Sequence, residues 1–343
     1  MQKKTIKVSK KENGSPVRVA SITAVARRAG VSLGTVSRVM NGAESVDDDL
    51  RRRVMIAARE VGFVQRSTRS NIALIAGRHS PTLPVGYTAI MTSLIERLAA
   101  KEGFGVEVFE EENFEQVGQS HIVAAIGVVF TDRITELLEV PRLPLITINH
   151  PLVRQGIHSV YTDHYEQGLL ATKHLLEHGH RRIAFLADLS NEWGACERLR
   201  GYKAAMKAAK AKTVPEWVCF TEGQPPHDTV CRWAAKKVTG ILNFSEDTAP
   251  QVLHVLQNVL GLKIGKDIST VTLEDIPFYQ YFTPPQTVIR QPLEELAKTA
   301  VRLAAELVEE SRNRTHKLSA VRDICLSGTL VSRESVAELG VRK

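Results

Sequence analysis

Ser32, Leu33, Gly34, Ser37 and Arg38 share one side of a short stretch whose apolar residues recur at helical spacing. These types can read base edges. Hydroxyls donate and accept hydrogen bonds, and a guanidinium makes a two-pronged bond to a guanine. Thr35 and Asn41 join them as candidate contacts. On the opposite side Val36, Val39 and Met40 form a stripe that must be buried.

Other elements have to hold that helix in place. Ile22, Val25, Ala26 and Ala29 give a preceding helix one apolar face, and Gly30 can take the left-handed conformation that ends it. Ser32 can cap the next helix. Residues 21–46 therefore spell two helices joined at a glycine, the arrangement that lays its second helix in the DNA major groove. Asp47 to Asp49 place acid at the start of a third helix, with Leu50, Val54, Ala57 and Val61 as its stripe and Gly62 as its stop. Arg51, Arg52 and Arg53 fall on its outer faces, either as solvated surface or as phosphate contacts.

Charge is concentrated at this end. Residues 1–70 hold 15 Lys or Arg against 6 Asp or Glu, whereas the whole 343-residue chain is only +7. A basic head on a near-neutral body is the electrostatic footprint of DNA binding confined to one module. Residues 1–19 are polar and lysine-rich, with no apolar core of signal-peptide type, and read as a disordered arm. No run reaches transmembrane length, so no membrane partner is expected. Cys196, Cys219, Cys231 and Cys325 lack metal-ligand spacing and read as buried thiols of a reducing, cytoplasmic compartment. Neither a metal nor a cofactor is expected.

From Ile72 onward, short apolar runs alternate with helical stretches. Strands are expected at 72–76, 106–109, 126–130, 145–148, 183–186, 240–242, 270–273 and 287–289, and helices at 88–100, 165–177, 197–209, 248–260 and 292–309. Such alternation implies an α/β body with parallel sheets covered by helices. So many strands suit two similar lobes, with a ligand between them at the carboxyl ends of the strands.

The chain resembles the lactose-repressor-type (LacI/GalR) bacterial transcription regulators. The likeness is carried by AGVSLGTVSRVMNG (29–42), HLLEHGHRRIAFL (174–186), RLRGYKAAM (198–206), KDISTVTLEDIP (266–277), TPPQTVIRQPLEELAKTA (283–300) and GTLVSRESV (328–336). It implies a helix-turn-helix head at 20–63, a linker at 64–71 and a two-lobed periplasmic-binding-protein-like body at 72–336. Lobe 1 would span about 72–161 and 291–323, and lobe 2 about 162–290 and 324–336. The implied partners are a double-stranded DNA operator, a sugar-like small-molecule effector and a second copy of the chain, with 88–100 as the candidate dimer contact.

Departures from the family pattern locate the sites. Family members carry a hinge helix with a leucine between head and body. The segment 64–71 has no leucine and is too short to form a helix and connect it. Arg66 and Arg69 within it either contact phosphates or a narrow minor groove, or belong to a solvated linker. Asn149 stands where the family usually has an aspartate, Ser245 and Glu246 at its Asn-Asp pair, and Glu274 at a further aspartate. Arg198 matches the ligand-facing arginine of the family. One guanidinium, carboxylates and neutral groups can bond a polyhydroxylated ligand from several directions. Trp193, in an expected loop, either stacks on a sugar ring or simply packs. His79, Ser80 and Tyr87 follow the first strand on the ligand side, while His174, His178 and His180 suit helix surface or helix end.

Two functional readings follow. One is a ligand-controlled repressor. The other is a ligand-independent regulator whose body only holds a dimer together, favoured by the altered acidic positions and the short linker. An enzyme is not expected, because no GxSxG elbow, phosphate loop or zinc spacing is present.

Overall fold

The computed structural model describes residues 21–40, 43, 46–63, 70–77, 86–111, 113–119, 121–128, 131–244, 246–273, 275–312 and 320–339. The chain divides into two compact units, 1–66 and 67–343. Most of the linker, including Arg66 and Arg69, lies outside the described residues, as do the arm, Asn41, His79, Ser80, Ser245 and Glu274.

The first unit contains α1 (Ile22–Ala29), α2 (Leu33–Met40) and α3 (Asp48–Val61). Ser21 caps α1 through its side chain, Gly30 ends it at φ 68°, and the Asp47 carboxylate accepts from Asp49 N and Leu50 N to start α3. Val25, Val36, Val39, Met40, Val54 and Met55 fill the space between the three helices, a core small enough that caps and turn matter to its stability.

The second unit runs β1 (Asn71–Ala76), α4 (Tyr87–Lys101), β2 (Gly105–Glu110), β3 (Ile122–Val128), β4 (Leu145–Ile148), β5 (His158–Thr162), α5 (His164–Glu177), β6 (Ile183–Ala187) and α6 (Trp193–Ala208). It continues through β7 (Val218–Phe220), α7 (His227–Ala235), β8 (Gly240–Asn243), α8 (Ala249–His254), β9 (Ser269–Leu273), β10 (Thr287–Arg290), α9 (Leu293–Arg312), β11 (Asp323–Leu326) and β12 (Thr329–Val331). Two sheets result, ordered β11-β5-β4-β3-β1-β2 and β12-β10-β9-β8-β6-β7. Every pair is parallel except β10 with β12.

Both faces of each sheet are covered, so the central strands are apolar on both sides. Along β1, Ile72 and Leu74 face Met91 and Ile95 of α4 and Leu296 and Ala300 of α9. Ala73 and Ile75 face the opposite way, toward Phe109, Phe114, Ile134 and Leu137. The second lobe repeats the plan: Phe185 packs toward Leu175 and Tyr202, and Leu186 toward Trp233 and Leu256. The period-two alternation of strand side chains produces both sandwiches.

The chain passes between lobes three times, after β5, after β10 and after β11. The third passage falls between Leu326 and Thr329, later than the expected 323/324 boundary, because β11 pairs with β5 of the first sheet. Four strands that sequence periodicity did not bring out are β5, β7, β11 and β12. Three of them lie at sheet edges, where one neighbour supplies the pairing and apolar alternation is weak. The expected continuous helix at 248–260 is instead α8 followed by a π-turn at Val255–Val259. α6 begins at Trp193, so that residue opens a helix and does not sit in a loop.

Candidate functional site

The head presents its polar face as the apolar stripe requires. With Val36, Val39 and Met40 buried, Ser32, Leu33, Gly34 and Arg38 are exposed, and Thr35 and Ser37 lie at the margin. Leu33 is 50% exposed, which leaves its methyls open to apolar contact. Ser32 Oγ accepts from Thr35 N at 3.1 Å and pairs with Thr35 Oγ1 at 2.8 Å, so both hydroxyls hold the start of α2. The Arg38 Nε donates to Gly34 O at 3.4 Å, which folds the side chain back along its own helix. Arg51 and Arg53 have a use beyond the two considered from sequence. Arg51 donates to Ala43 O at 2.8 Å and Arg53 to Ala29 O at 2.9 Å, so each ties down a backbone carbonyl within the head. Arg52 is exposed.

In the body, the candidate cleft residues converge through an unusually close helix pair. A Cβ on Gly168 of α5 would lie 2.0 Å from Arg198 O, and one on Gly201 of α6 would lie 2.1 Å from Tyr165 O. Only glycine permits that approach. It sets the Arg198 side chain, 4% exposed, against α5. Its Nε donates to Gln167 Oε1 at 3.1 Å, and its guanidinium carbon stands 5.9 Å from the Phe244 ring. His164 Nδ1 donates to the same Gln167 oxygen at 2.8 Å. Burial, and then the Arg198 charge, holds the His164 imidazole well below its ordinary range, so it is neutral. Trp193 lies 5.0 Å from His164 and edge-on to Tyr161 at 5.5 Å.

Asn149 has a left-handed backbone, φ 55°, and its amide is fully engaged. Nδ2 donates to Tyr87 OH at 2.9 Å and to Gln291 Oε1 at 2.8 Å, while Oδ1 accepts from Thr162 N at 2.8 Å. It ties together the ends of β4 and β5, the start of α4 and the second passage between lobes. Glu246 of lobe 2 reaches lobe 1, where its two carboxylate oxygens accept from Tyr87 N at 3.1 and 2.9 Å. Burial pushes its carboxyl up to about 7. Glu192, at the start of α6, is raised for the same reason, with Arg198 opposing the shift.

Sequence reasoning missed Glu192, His164, Gln167 and His150. The last is buried, with its Nε2 2.7 Å from Asp132 Oδ1. The i, i+3 pair of His164 and Gln167 on α5 was the one available signal. His174 lies in the last turn of α5 and His180 just past its end, as the helix-end alternative has it, and both are buried and not on a surface. His180 contacts Thr239 Oγ1 and Ala337 O, which anchors the final segment, and burial lowers its imidazole to about 4. The cysteines are free thiols. Three are half-buried and Cys325 is exposed on edge strand β11, so none sits in the interior as expected. Among the described residues no group of His, Cys, Asp or Glu is arranged to hold a metal ion, and no helix is long and apolar enough to cross a membrane.

Comparison with known proteins gives three family matches. Residues 21–65 match bacterial regulatory proteins of the lacI family, 102–217 the periplasmic binding proteins and sugar-binding domain of the LacI family, and 172–336 a periplasmic binding protein-like domain. The chain is 26% identical to the HTH-type transcriptional repressor PurR of Aliivibrio fischeri (strain MJ11), over 92% of this chain and 99% of the relative. It is 24% identical to the ribose operon repressor of Haemophilus influenzae, over 94% and 100%. Among solved structures, a transcriptional regulator CelR–cellobiose complex matches with TM-score 0.67 and 26% identity, over 92% of this chain and 99% of that one. The lac repressor dimer bound to operator and the anti-inducer ONPF shares the fold, with TM-score 0.65 and 21% identity over 93% and 100%.

Proposed function

Because this chain belongs to the lacI family of bacterial regulatory proteins, and is thus a DNA-binding transcription regulator, we propose that it is a repressor controlled by a sugar-like ligand held between the lobes. The observation that carries the ligand reading is Arg198, a buried guanidinium that interacts electrostatically with Glu192 and Glu246. Such a group donates in a fixed fork, and the two carboxylates accept, which suits vicinal hydroxyls. Trp193 supplies an aromatic edge nearby. The ligand acts by stabilising one arrangement of the lobes over another, which couples the cleft to DNA affinity.

The protein works as a two-fold dimer on an operator of matching symmetry, since joining two heads multiplies their effective concentration. The outer side of α4 is the proposed contact, where Ile90 and Leu94 border a groove of about 410 Å³ with Leu293. One observation favours the scaffold reading instead: Asn149 and Glu246, two of the expected ligand contacts, are engaged within the chain. Calorimetry against a panel of mono- and disaccharides decides between them. Binding that is lost in Arg198→Met supports the ligand reading, and no heat with any sugar favours the scaffold.

A further inference from the structure

The end of α4 that faces lobe 2 lacks a cap of its own. Its N-cap is Gly86, with no side chain to accept a bond from the first turn. The Tyr87 N–H is met instead by both oxygens of Glu246, from the other lobe and 159 residues away. A Cβ at Gly86 would stand 2.4 Å from Glu246 Oε1, although the backbone there, at φ −155°, is open to any residue. What Gly86 provides is room for the carboxylate. A negative group also suits the positive end of a 15-residue helix.

We propose that Glu246 is a latch between the lobes, a positioning residue that caps α4 across the cleft and must let go of it before the lobes can part. An effector that opens the cleft has to break this cap, and one that closes it adds to the cap. The effector gives the latch its purpose. Its existence can be read without any ligand, so failure of the effector reading and failure of the latch are separate results.

Proton linkage gives the latch a signature. Glu246 is raised to about 7 mainly by burial, with the Tyr87 bond and Arg198 lowering it and Asp247 and Glu192 raising it. Parting the lobes returns it to water, near its ordinary 4.5. The closed form therefore holds its proton over a range where the open form has lost it. Between pH 4.5 and 7 the opening equilibrium falls by up to about tenfold for each unit of acidification, and above 7 it is flat. Acid tightens the latch because burial favours the neutral carboxyl, whose carbonyl oxygen can still accept from Tyr87 N.

The test is hydrogen exchange at the Tyr87 amide in the full chain, corrected for intrinsic rate, across pH 5 to 8.5. The wild type should be protected, increasingly so below pH 7. Glu246→Ala should exchange at least about tenfold faster at pH 7. Gly86→Ala, which displaces the carboxylate without removing it, should do the same. Glu246→Gln keeps an acceptor oxygen and should restore protection, but without the pH dependence. Equal protection in wild type and Glu246→Ala overturns the proposal, and so does a Glu246→Gln variant that retains the wild-type pH profile.

Discussion

The head and the cleft arrange their polar side chains in opposite ways. On α2, Ser32, Leu33, Gly34 and Arg38 lie open on the surface while a small apolar core holds the helix from behind. In the cleft, Asn149, Arg198 and Glu246 are enclosed and already bonded, to Tyr87, Gln291, Thr162 and Gln167. An open face can be altered residue by residue at little cost to folding. An enclosed network cannot, since removing one member leaves another buried and unmatched. The proposed DNA-reading face and the proposed ligand cleft are therefore exposed to mutation very differently.

The largest effect should come from the cleft. Arg198→Met removes the guanidinium that opposes the raised pKa values of Glu192 and Glu246, and we expect a loss of about 3 kcal/mol of body stability in urea denaturation. A variant as stable as the wild type would show that the two carboxyls are neutral there and need no cation. Arg38→Ala should have the reverse profile. Specific operator affinity should drop by about 1–3 kcal/mol in a titration, with the urea midpoint of the body unchanged. If operator binding is unaffected, α2 is not the reading helix. The smallest effect blurs the distinction. Arg53→Met removes a bond to the last turn of α1 and should cost the head about 1 kcal/mol by thermal melting, although Arg53 is a surface cation.

The head was more legible in the sequence than the cleft, for a physical reason. Its three helices are local, and Gly30, Ser32, Asp47 and Gly62 mark their ends within a few residues. Most buried strands of the body were equally plain, because strands covered on both faces are continuously apolar, as in ALIA at 73–76, whereas interior β5, HSVYT, is broken up by polar residues. β11 and β12 were not, since each is short and held along one edge by a partner far off in sequence. The cleft depends on such distant meetings throughout. Nothing local to Glu246 points to Tyr87, and nothing near Asn149 predicts that Gln291 and Thr162 will take up its amide. Trp193 was misplaced because the start of α6 has no side-chain cap to announce it.

The three passages between lobes carry a consequence for how the chain comes off the ribosome. The head is complete by Phe63, the last residue that packs on its core. Lobe 1 begins at β1 but receives α9 and β11 only from residues 293–326, after most of lobe 2 has been made. Until then Leu74, Ile126 and Met91 lack the helix that seals them, and β5 has a free edge. Nascent lobe 1 must therefore wait with an open apolar face for most of translation, the period in which an aggregation-prone intermediate calls for a chaperone. A ribosome stalled before Leu293 would carry a finished DNA-binding head on an unfinished body.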